Sequence, residues 1–366
     1  MRVIISAGGT GGHIYPALSI INKIKEKDKN AEILYVGTTD RMEKDIIPKY
    51  NIPYFGIKIR GLDRKLTINN IKNIKYFIKA VKIMKNKIKD FKPDIVIGVG
   101  GYVTFPVIYA AQKCHIKTLI HEQNSILGVT NKILSKKVDA VAISFKDTKV
   151  EAKKVVYTGN PCSELDKTLK FDKKEYNLTK NKKLVLIFMG SLGSKIVNDK
   201  MKEILPKFNN KDYEILFITG KDYYSEFKAL KLNNNIKIVP YIENMKRVFK
   251  DVDVMVSRSG ATTISEIISY KVKTIFIPSP YVTDNHQYKN AMSLVESSAA
   301  FIIEEKNLNY EILSKNIEEL LYNKEKSNII EDNLSNMQIK GSASKIYDLI
   351  LEITRWLYDI RKRNRK

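Results

Sequence analysis

A chain of 366 residues, 43% of them apolar, is long enough for about two domains and too apolar for global disorder. It carries 64 Lys and Arg against 40 Asp and Glu, a net charge of +24, which points to an anionic partner or substrate. The two cysteines, Cys114 and Cys162, form neither a metal nor a redox motif, which excludes a disulfide-built fold and fits a reduced compartment.

Lys, Ile and Asn are abundant throughout, so part of the charge is general composition. The excess is nevertheless uneven: residues 1–160 hold 29 basic against 13 acidic side chains. The opening run "RVIISA" reads as a strand, without the charged, then apolar, then small-residue layout of a secretory leader. It leads into "GGTGGH" and a helix expected from about Pro16, with the proline in its first turn. "EILYVG" precedes a helix near Arg41, and "DIVIGVG", "KTLIHE", "AVAISF" and "VVYTGNP" follow as strands. The longest uncharged run, Ile95 to Gln112, is broken by glycines and Pro106 and does not read as a membrane span. The pattern then restarts with "KLVLIFMGS", a helix near Asn198, "EILFITG", "IKIVPYI", "VDVMVSRSG" and "KTIFIPSP". Apolar strands separated by helices predict parallel sheets covered on both faces. Two such series predict an α/β chain of two doubly wound, Rossmann-like domains facing a cleft, residues 1–160 and 161–342. Residues 343–366 are expected to be a C-terminal helix with a basic tail, packing back toward the first domain.

The glycine loops carry the chemistry. In "GGTGGH", Gly8, Gly9, Gly11 and Gly12 lack Cβ atoms and can take positive φ, so backbone N–H groups can approach an anion. The following helix adds its positive N-terminal end. The spacing is not that of the G-x-G-x-x-G fingerprint, and the Lys-Ser/Thr of a P-loop is missing. "GVGGY" (Gly98 to Tyr102) and "MGSLGS" (Met189 to Ser194) repeat the device after other strands. Ligands of open α/β sheets bind at the carboxyl ends of strands, where all three loops fall.

Six motifs in order, "GGTGGHIYPA", "GVGGYVTFP", "HEQNSILGVTNK", "TGNP", "SRSGATTISE" and "DNHQYKNA", span roughly residues 8–292. Together they resemble the MurG family of bacterial peptidoglycan glycosyltransferases. The resemblance implies the GT-B fold and an inverting transfer of N-acetylglucosamine from UDP-GlcNAc to the C4 hydroxyl of MurNAc in lipid I, giving lipid II. It also implies a peripheral enzyme on the cytoplasmic face of the cell membrane. Expected partners are UDP-GlcNAc, lipid I, the anionic inner membrane surface and other cell-wall synthesis proteins, but no nucleic acid.

Such a displacement needs a base for the acceptor hydroxyl. His13 is the first candidate, because imidazole titrates near neutrality, and Glu122 competes with it. His121 reads as scaffold. By resemblance the acceptor meets Gly9, Gly11, Gly12, Gly100, Gly101 and Tyr102. The donor set is expected to include Thr10, Gly11, Gly12, Asn124, Ser163, Ser191, Ile242, Ala261, Thr262, Thr263, Glu266, His286 and Gln287. Within it, Ala261, Thr262 and Thr263 offer N–H groups to phosphate and Glu266 accepts the ribose hydroxyls. The Ile242 backbone meets uracil, and His286 and Gln287 bind the sugar. The family's "GNP" is commonly followed by an apolar residue and an arginine; here Cys162 and Ser163 follow, so the expected arginine is a serine. The four histidines, at 13, 115, 121 and 286, are scattered, and no metal or other cofactor is expected. Three alternatives stay open at this point: a glycolipid synthase, a UDP-GlcNAc 2-epimerase, and a non-catalytic binder of lipid-linked phosphate.

Between Lys58 and Lys92 there are 12 basic and 2 acidic residues. Ile71, Ile74, Phe77, Ile78, Val81, Met84 and Ile88 recur at helical spacing, with Lys72, Lys75, Lys79 and Lys82 mostly opposite. The apolar face is expected to be core, and the lysines to approach anionic lipid.

Overall fold

The structure, a computed structural model, describes residues 1–61, 68–164, 169–190 and 193–363, with side chains outside 68–72 and 355–363. The chain divides into two compact units, Met1–Glu164 with Ile339–Lys366, and Leu165–Gln338.

The first unit runs β1 (Arg2–Ser6), α1 (Gly11–Lys27), β2 (Glu32–Thr38), α2 (Glu43–Ile46), β3 (Tyr54–Ile57), α3 (Ile68–Phe91) and β4 (Ile95–Gly98). It continues with α4 (Thr104–Lys113), β5 (Lys117–Glu122), α5 (Val129–Leu134), β6 (Ala140–Ile143) and β7 (Val155–Tyr157). All neighbouring strands pair parallel, in the order β3-β2-β1-β4-β5-β6-β7. Strand alternation sends successive side chains to opposite faces. Val3, Ile5, Ile33, Tyr35, Ile95 and Ile97 therefore pack one way, against Ile14, Leu18 and Ile21 of α1. Ile4, Leu34, Val36 and Val96 pack the other way, against Met84 and Ile88 of α3 and Val107 and Ile108 of α4. Burial on both faces explains why these strands read as unbroken apolar runs.

The second unit runs β8 (Leu184–Phe188), α6 (Lys195–Ile204), β9 (Glu214–Ile218), β10 (Ile236–Val239), α7 (Met245–Phe249) and β11 (Val254–Ser257). Then come α8 (Ala261–Tyr270), β12 (Thr274–Phe276), α9 (His286–Val295), β13 (Phe301–Ile302), α10 (Tyr310–Tyr322) and α11 (Lys324–Met337). Its sheet is also parallel, ordered β10-β9-β8-β11-β12-β13. The last helix, α12 (Ser342–Arg363), returns to the first unit. Its Ile346, Leu349 and Ile350 are buried in the core beside α1. Each such side chain contributes roughly 1.5–3 kcal/mol when fully buried.

In both sheets the strand order reverses once, between β1 and β4 in one unit and between β8 and β11 in the other. At such switch points two loops diverge and leave a crevice at the strands' carboxyl ends. The glycine loops after β1 and β4 are therefore neighbours, and so are the turns after β8 and β11.

Candidate active site

In the first unit the two loops are interlocked. The Gly8 amide donates to the Gly100 carbonyl at 3.2 Å. Gly100 and Gly101 have φ of +110° and +87°, and a Cβ on Gly101 would lie 2.4 Å from the Gly8 oxygen. A Cβ on Gly100 would strike the His13 ring. The loop therefore tolerates only glycine where it meets its partner.

Three details differ from the sequence reading. Among the glycines of "GGTGGH" only Gly9 has positive φ, at +88°. The helix already starts at Gly11, so Pro16 is its sixth residue rather than a first-turn proline. The Gly9 N–H is taken by Glu43 Oε2 at 3.1 Å, so Gly9 does not offer its amide to an acceptor phosphate. The amides left for an anion are those of Gly11 and Gly12, because the first turn of an α-helix has no internal acceptors. Thr10 is the N-cap and makes no side-chain cap bond.

His13 Nδ1 lies 3.1 Å from the Gly8 carbonyl and 3.3 Å from Thr10 Oγ1. A carbonyl only accepts, so this contact assigns the proton to Nδ1 and the lone pair to Nε2. Nε2 lies on the side of the ring toward Gly100. The base candidate thus has a fixed tautomer at the junction of both glycine loops.

Glu122 is placed otherwise. It is 1% exposed, and its two oxygens accept from Asn124 N and Nδ2, both at 3.0 Å, and from Gly128 N and Asn131 Nδ2 at 3.0 and 2.8 Å. Four donors saturate the carboxylate. Its geometry orders the loop after β5 and leaves no outward lone pair for an acceptor proton. The same bonds turn the Asn124 amide inward. His121 is fully buried, with Nδ1 facing Gln123 Nε2 at 3.0 Å and Nε2 facing the Gly159 carbonyl at 3.3 Å. Burial pushes its pKa down to about 4, so it is a neutral scaffold.

Ser163 belongs to the first unit, not to the donor domain expected from residue 161 onward. Its hydroxyl pairs with Ser342 Oγ at 3.1 Å, at the start of α12. Tyr102 follows the second glycine loop, and its Oη accepts from Arg41 Nε at 3.3 Å.

In the second unit, α8 begins after Gly260, an extended residue that makes no side-chain cap bond. Ala261, Thr262 and Thr263 form its first turn. Thr262 Oγ1 is buried without a hydrogen-bond partner among the described residues. Buried hydroxyls are usually bonded, so this one has capacity for a ligand at a helix N-terminus. Glu266, one turn further, is 16% exposed and faces Lys246 Nζ at 3.9 Å. Burial raises its pKa from 4.5 to about 7, and Lys246 offsets this only in part. Ile242 is buried in the turn after β10. Gln287 Oε1 accepts from Ser279 N at 2.9 Å, and His286 Nδ1 lies 2.8 Å from the Thr283 carbonyl, so both head α9 in fixed orientations. Ser191 lies outside the described residues.

Sequence reasoning missed two sheltered charges. Arg258 joins the turns at the second switch point: it donates to the Ile277 carbonyl and to Ser194 Oγ at 2.8 and 2.7 Å, and it pairs with buried Glu305. Glu43, fully buried, accepts from Gly9 N, Thr38 N at 3.0 Å and Thr38 Oγ1 at 2.7 Å. The signal available was positional: each follows a strand's carboxyl end, where an acid or base is otherwise solvated.

Two all-parallel units with glycine-rich switch points are the architecture of GT-B glycosyltransferases. The chain belongs to glycosyltransferase family 28: residues 3–143 match its N-terminal domain and residues 184–349 its C-terminal domain. The second match runs past Gln338, into the helix that the fold assigns to the first unit. The chain is 44% identical over 362 residues to the UDP-N-acetylglucosamine–N-acetylmuramyl-(pentapeptide) pyrophosphoryl-undecaprenol N-acetylglucosamine transferase of Bacillus pumilus, covering 97% of this chain and 100% of that one. A Bacillus anthracis enzyme of the same name is 44% identical, with the same coverage. Among solved structures, Acinetobacter baumannii MurG superposes with a TM-score of 0.77 at 28% identity, covering 96% of this chain and 99% of that chain. The Staphylococcus aureus MnaA–UDP structure, at 17% identity and a TM-score of 0.70 over 96% of each chain, shares the fold.

Proposed function

We propose that this chain transfers N-acetylglucosamine from UDP-GlcNAc to the C4 hydroxyl of MurNAc in undecaprenyl-diphosphoryl-MurNAc-pentapeptide, lipid I, and so forms lipid II. The observation that carries this reading is identity of 44% over nearly the whole length to enzymes named for that transfer. A mechanism follows from this reading. The acceptor O4 attacks the anomeric carbon as its proton passes to His13 Nε2. The bond from that carbon to the UDP oxygen breaks, and configuration inverts. A positioned base of this kind is worth about 10²–10⁴-fold. The leaving diphosphate is stabilised by the amides and hydroxyls of Ala261, Thr262 and Thr263 at the start of α8, in the manner of an oxyanion hole. Glu266 accepts the ribose hydroxyls, the Ile242 backbone meets uracil, and His286 and Gln287 meet the sugar. Gly11, Gly12, Gly100 and Gly101 receive the acceptor's diphosphate. Glu122 and Asn124 order the loop beside them. In this reading the reaction needs no metal, and retained activity in excess EDTA checks that.

The decisive experiment is product analysis with UDP-GlcNAc and a short-chain lipid I analogue. A disaccharide-bearing lipid with one UDP released per transfer is expected. Conversion of UDP-GlcNAc without acceptor, or transfer to diacylglycerol instead, overturns the reading. His13→Ala is expected to lower kcat by about 10²-fold or more with both KM values retained.

The acceptor's lipid implies a membrane surface. No helix among the described residues is long and apolar enough to cross a membrane. In α3, Met84 and Ile88 are core as expected, but Ile74 and Ile78 are 48% and 62% exposed. With Lys75, Lys79 and Lys82 they form an apolar and basic strip suited to an anionic leaflet; the Lys72 side chain lies outside the described residues. Replacing these three lysines with Gln is expected to weaken binding to anionic vesicles without slowing turnover of a soluble acceptor.

A further inference from the structure

The turn after β2 is held from inside and exposes one cation. Thr38 Oγ1 accepts from Arg41 N at 3.1 Å and donates to Glu43 at 2.7 Å. Tyr54 Oη donates to the Thr38 carbonyl. Glu43 in turn holds the Gly9 amide, so this turn is fixed to the first glycine loop. From it the Arg41 side chain reaches the second loop, where Nε donates to Tyr102 Oη at 3.3 Å. The Tyr102 ring packs 3.6 Å from the position of a Cβ on Gly61. Arg41 is exposed, and although Asp40 and Glu43 lie close enough to act on its charge, its closest side-chain partner among the described residues is the Tyr102 hydroxyl. Its two terminal nitrogens are therefore presented as a planar fork, while the Tyr102 hydroxyl keeps its own proton to donate.

The glycine loops themselves present only neutral dipoles. A diphosphate carries more negative charge than two or three amides can neutralise, and a guanidinium fork matches phosphate oxygens in pairs. We propose that Arg41, oriented by Tyr102, is an acceptor-binding residue whose guanidinium takes a phosphate oxygen of the lipid-linked diphosphate. This rests on the reading that the first unit holds the acceptor. The residue acts on affinity rather than on the chemical step, since the proton transfer belongs to His13.

The test uses the full chain with Arg41→Gln and Arg41→Lys. Arg41→Gln is expected to raise the KM of a short-chain lipid I analogue about tenfold or more, leaving donor KM and kcat within about twofold. Arg41→Lys recovers part of the loss, because it restores charge without the fork. The pentapeptide carboxylates are the other oxyanions of this acceptor. An analogue with those carboxylates amidated separates the sources: a penalty that persists supports the diphosphate, and a penalty that vanishes overturns the assignment. Calorimetry with geranyl diphosphate, without donor, gives a readout independent of turnover. Weaker binding by Arg41→Gln is expected there even if the wild type transfers no sugar, an outcome that would sink only the transferase reading. Equal KM and equal diphosphate binding in wild type and Arg41→Gln overturn the proposal.

Discussion

Glu43 and Glu266 are both sheltered carboxylates near the start of a helix that follows a glycine, one in each unit, yet their surroundings differ. Glu43 is wholly buried and accepts three hydrogen bonds, from Gly9 N, Thr38 N and Thr38 Oγ1. Glu266 has no hydrogen-bond donor among the described residues, only Lys246 at 3.9 Å. Burying a charge is costly unless donors replace water. The first unit therefore uses its carboxylate as framework. The second unit keeps one whose donors are still to come, as the two hydroxyls of a ribose would be. A raised pKa in such a place marks binding capacity.

The largest effect expected from this contrast is on Glu43→Ala. It strands three donors, each costing about 1–3 kcal/mol when buried unpaired. The first unit is expected to lose about 3 kcal/mol or more, read as the fall in its denaturant midpoint, while UDP binding in whatever remains folded is unchanged. Loss of UDP affinity in a folded Glu43→Ala protein would erase the distinction between the two carboxylates.

Glu266→Ala should do the reverse. UDP affinity is expected to fall about ten- to hundredfold, as for lost bonds to a charged acceptor, with stability unchanged or improved. The pH dependence sharpens this further. The apo carboxyl titrates near 7, above its ordinary 4.5. Its contribution to stability is therefore complete below pH 4.5 and lost as pH rises through about 7. UDP binding has the opposite sign, because hydroxyl donors favour the ionised form. Affinity should weaken as pH drops below about 7, by up to about tenfold per unit. Isothermal titration between pH 5.5 and 8.5, in steps of about half a unit, shows the slope, and Glu266→Gln should flatten it. A slope that survives in Glu266→Gln assigns the titration to another group.

The contrast between the units also shows what was readable from the chain. Most of the strand segments, the two series and the three glycine loops follow from local pattern, since apolar runs and punctuating glycines are properties of short segments. Strand β3 and the two-residue β13 were not readable, because "YFGI" and "FI" are too short to carry a period. His13 and the α8 turn were legible because motif and helix start coincide. The saturation of Glu122 was not, since Gly128 and Asn131 reach it from six and nine residues away. The Glu43 contacts to Gly9 and the closure of Ser163 on Ser342 depend on tertiary placement over 34 and 179 residues. Nothing in a local window reports such partners. The boundary near residue 160 was close, but only α12's burial beside α1 shows that the chain crosses back.

Two glycines give the smallest and most discriminating comparison. A Cβ on Gly8 would sit 2.4 Å from Glu43 Oε1 and 3.0 Å from Val103 Cγ1, with no room to relax except by moving the buried carboxylate. Gly8→Ala should therefore behave as a milder Glu43→Ala and show itself in stability. Gly260 is different. Its φ and ψ of −65° and 141° suit any residue, and its Cβ would meet only Thr263 Oγ1, at 3.8 Å. Alanine is a poorer N-cap than glycine, so Gly260→Ala should cost about 0.5–1 kcal/mol of stability and no more. If phosphate occupies the space in front of α8, however, the added methyl stands where the anion must approach the Ala261 and Thr262 amides. UDP affinity should then fall about threefold, roughly 0.6 kcal/mol. Unchanged affinity in Gly260→Ala would move the diphosphate away from this helix start and leave the buried hydroxyl of Thr262 without its expected ligand.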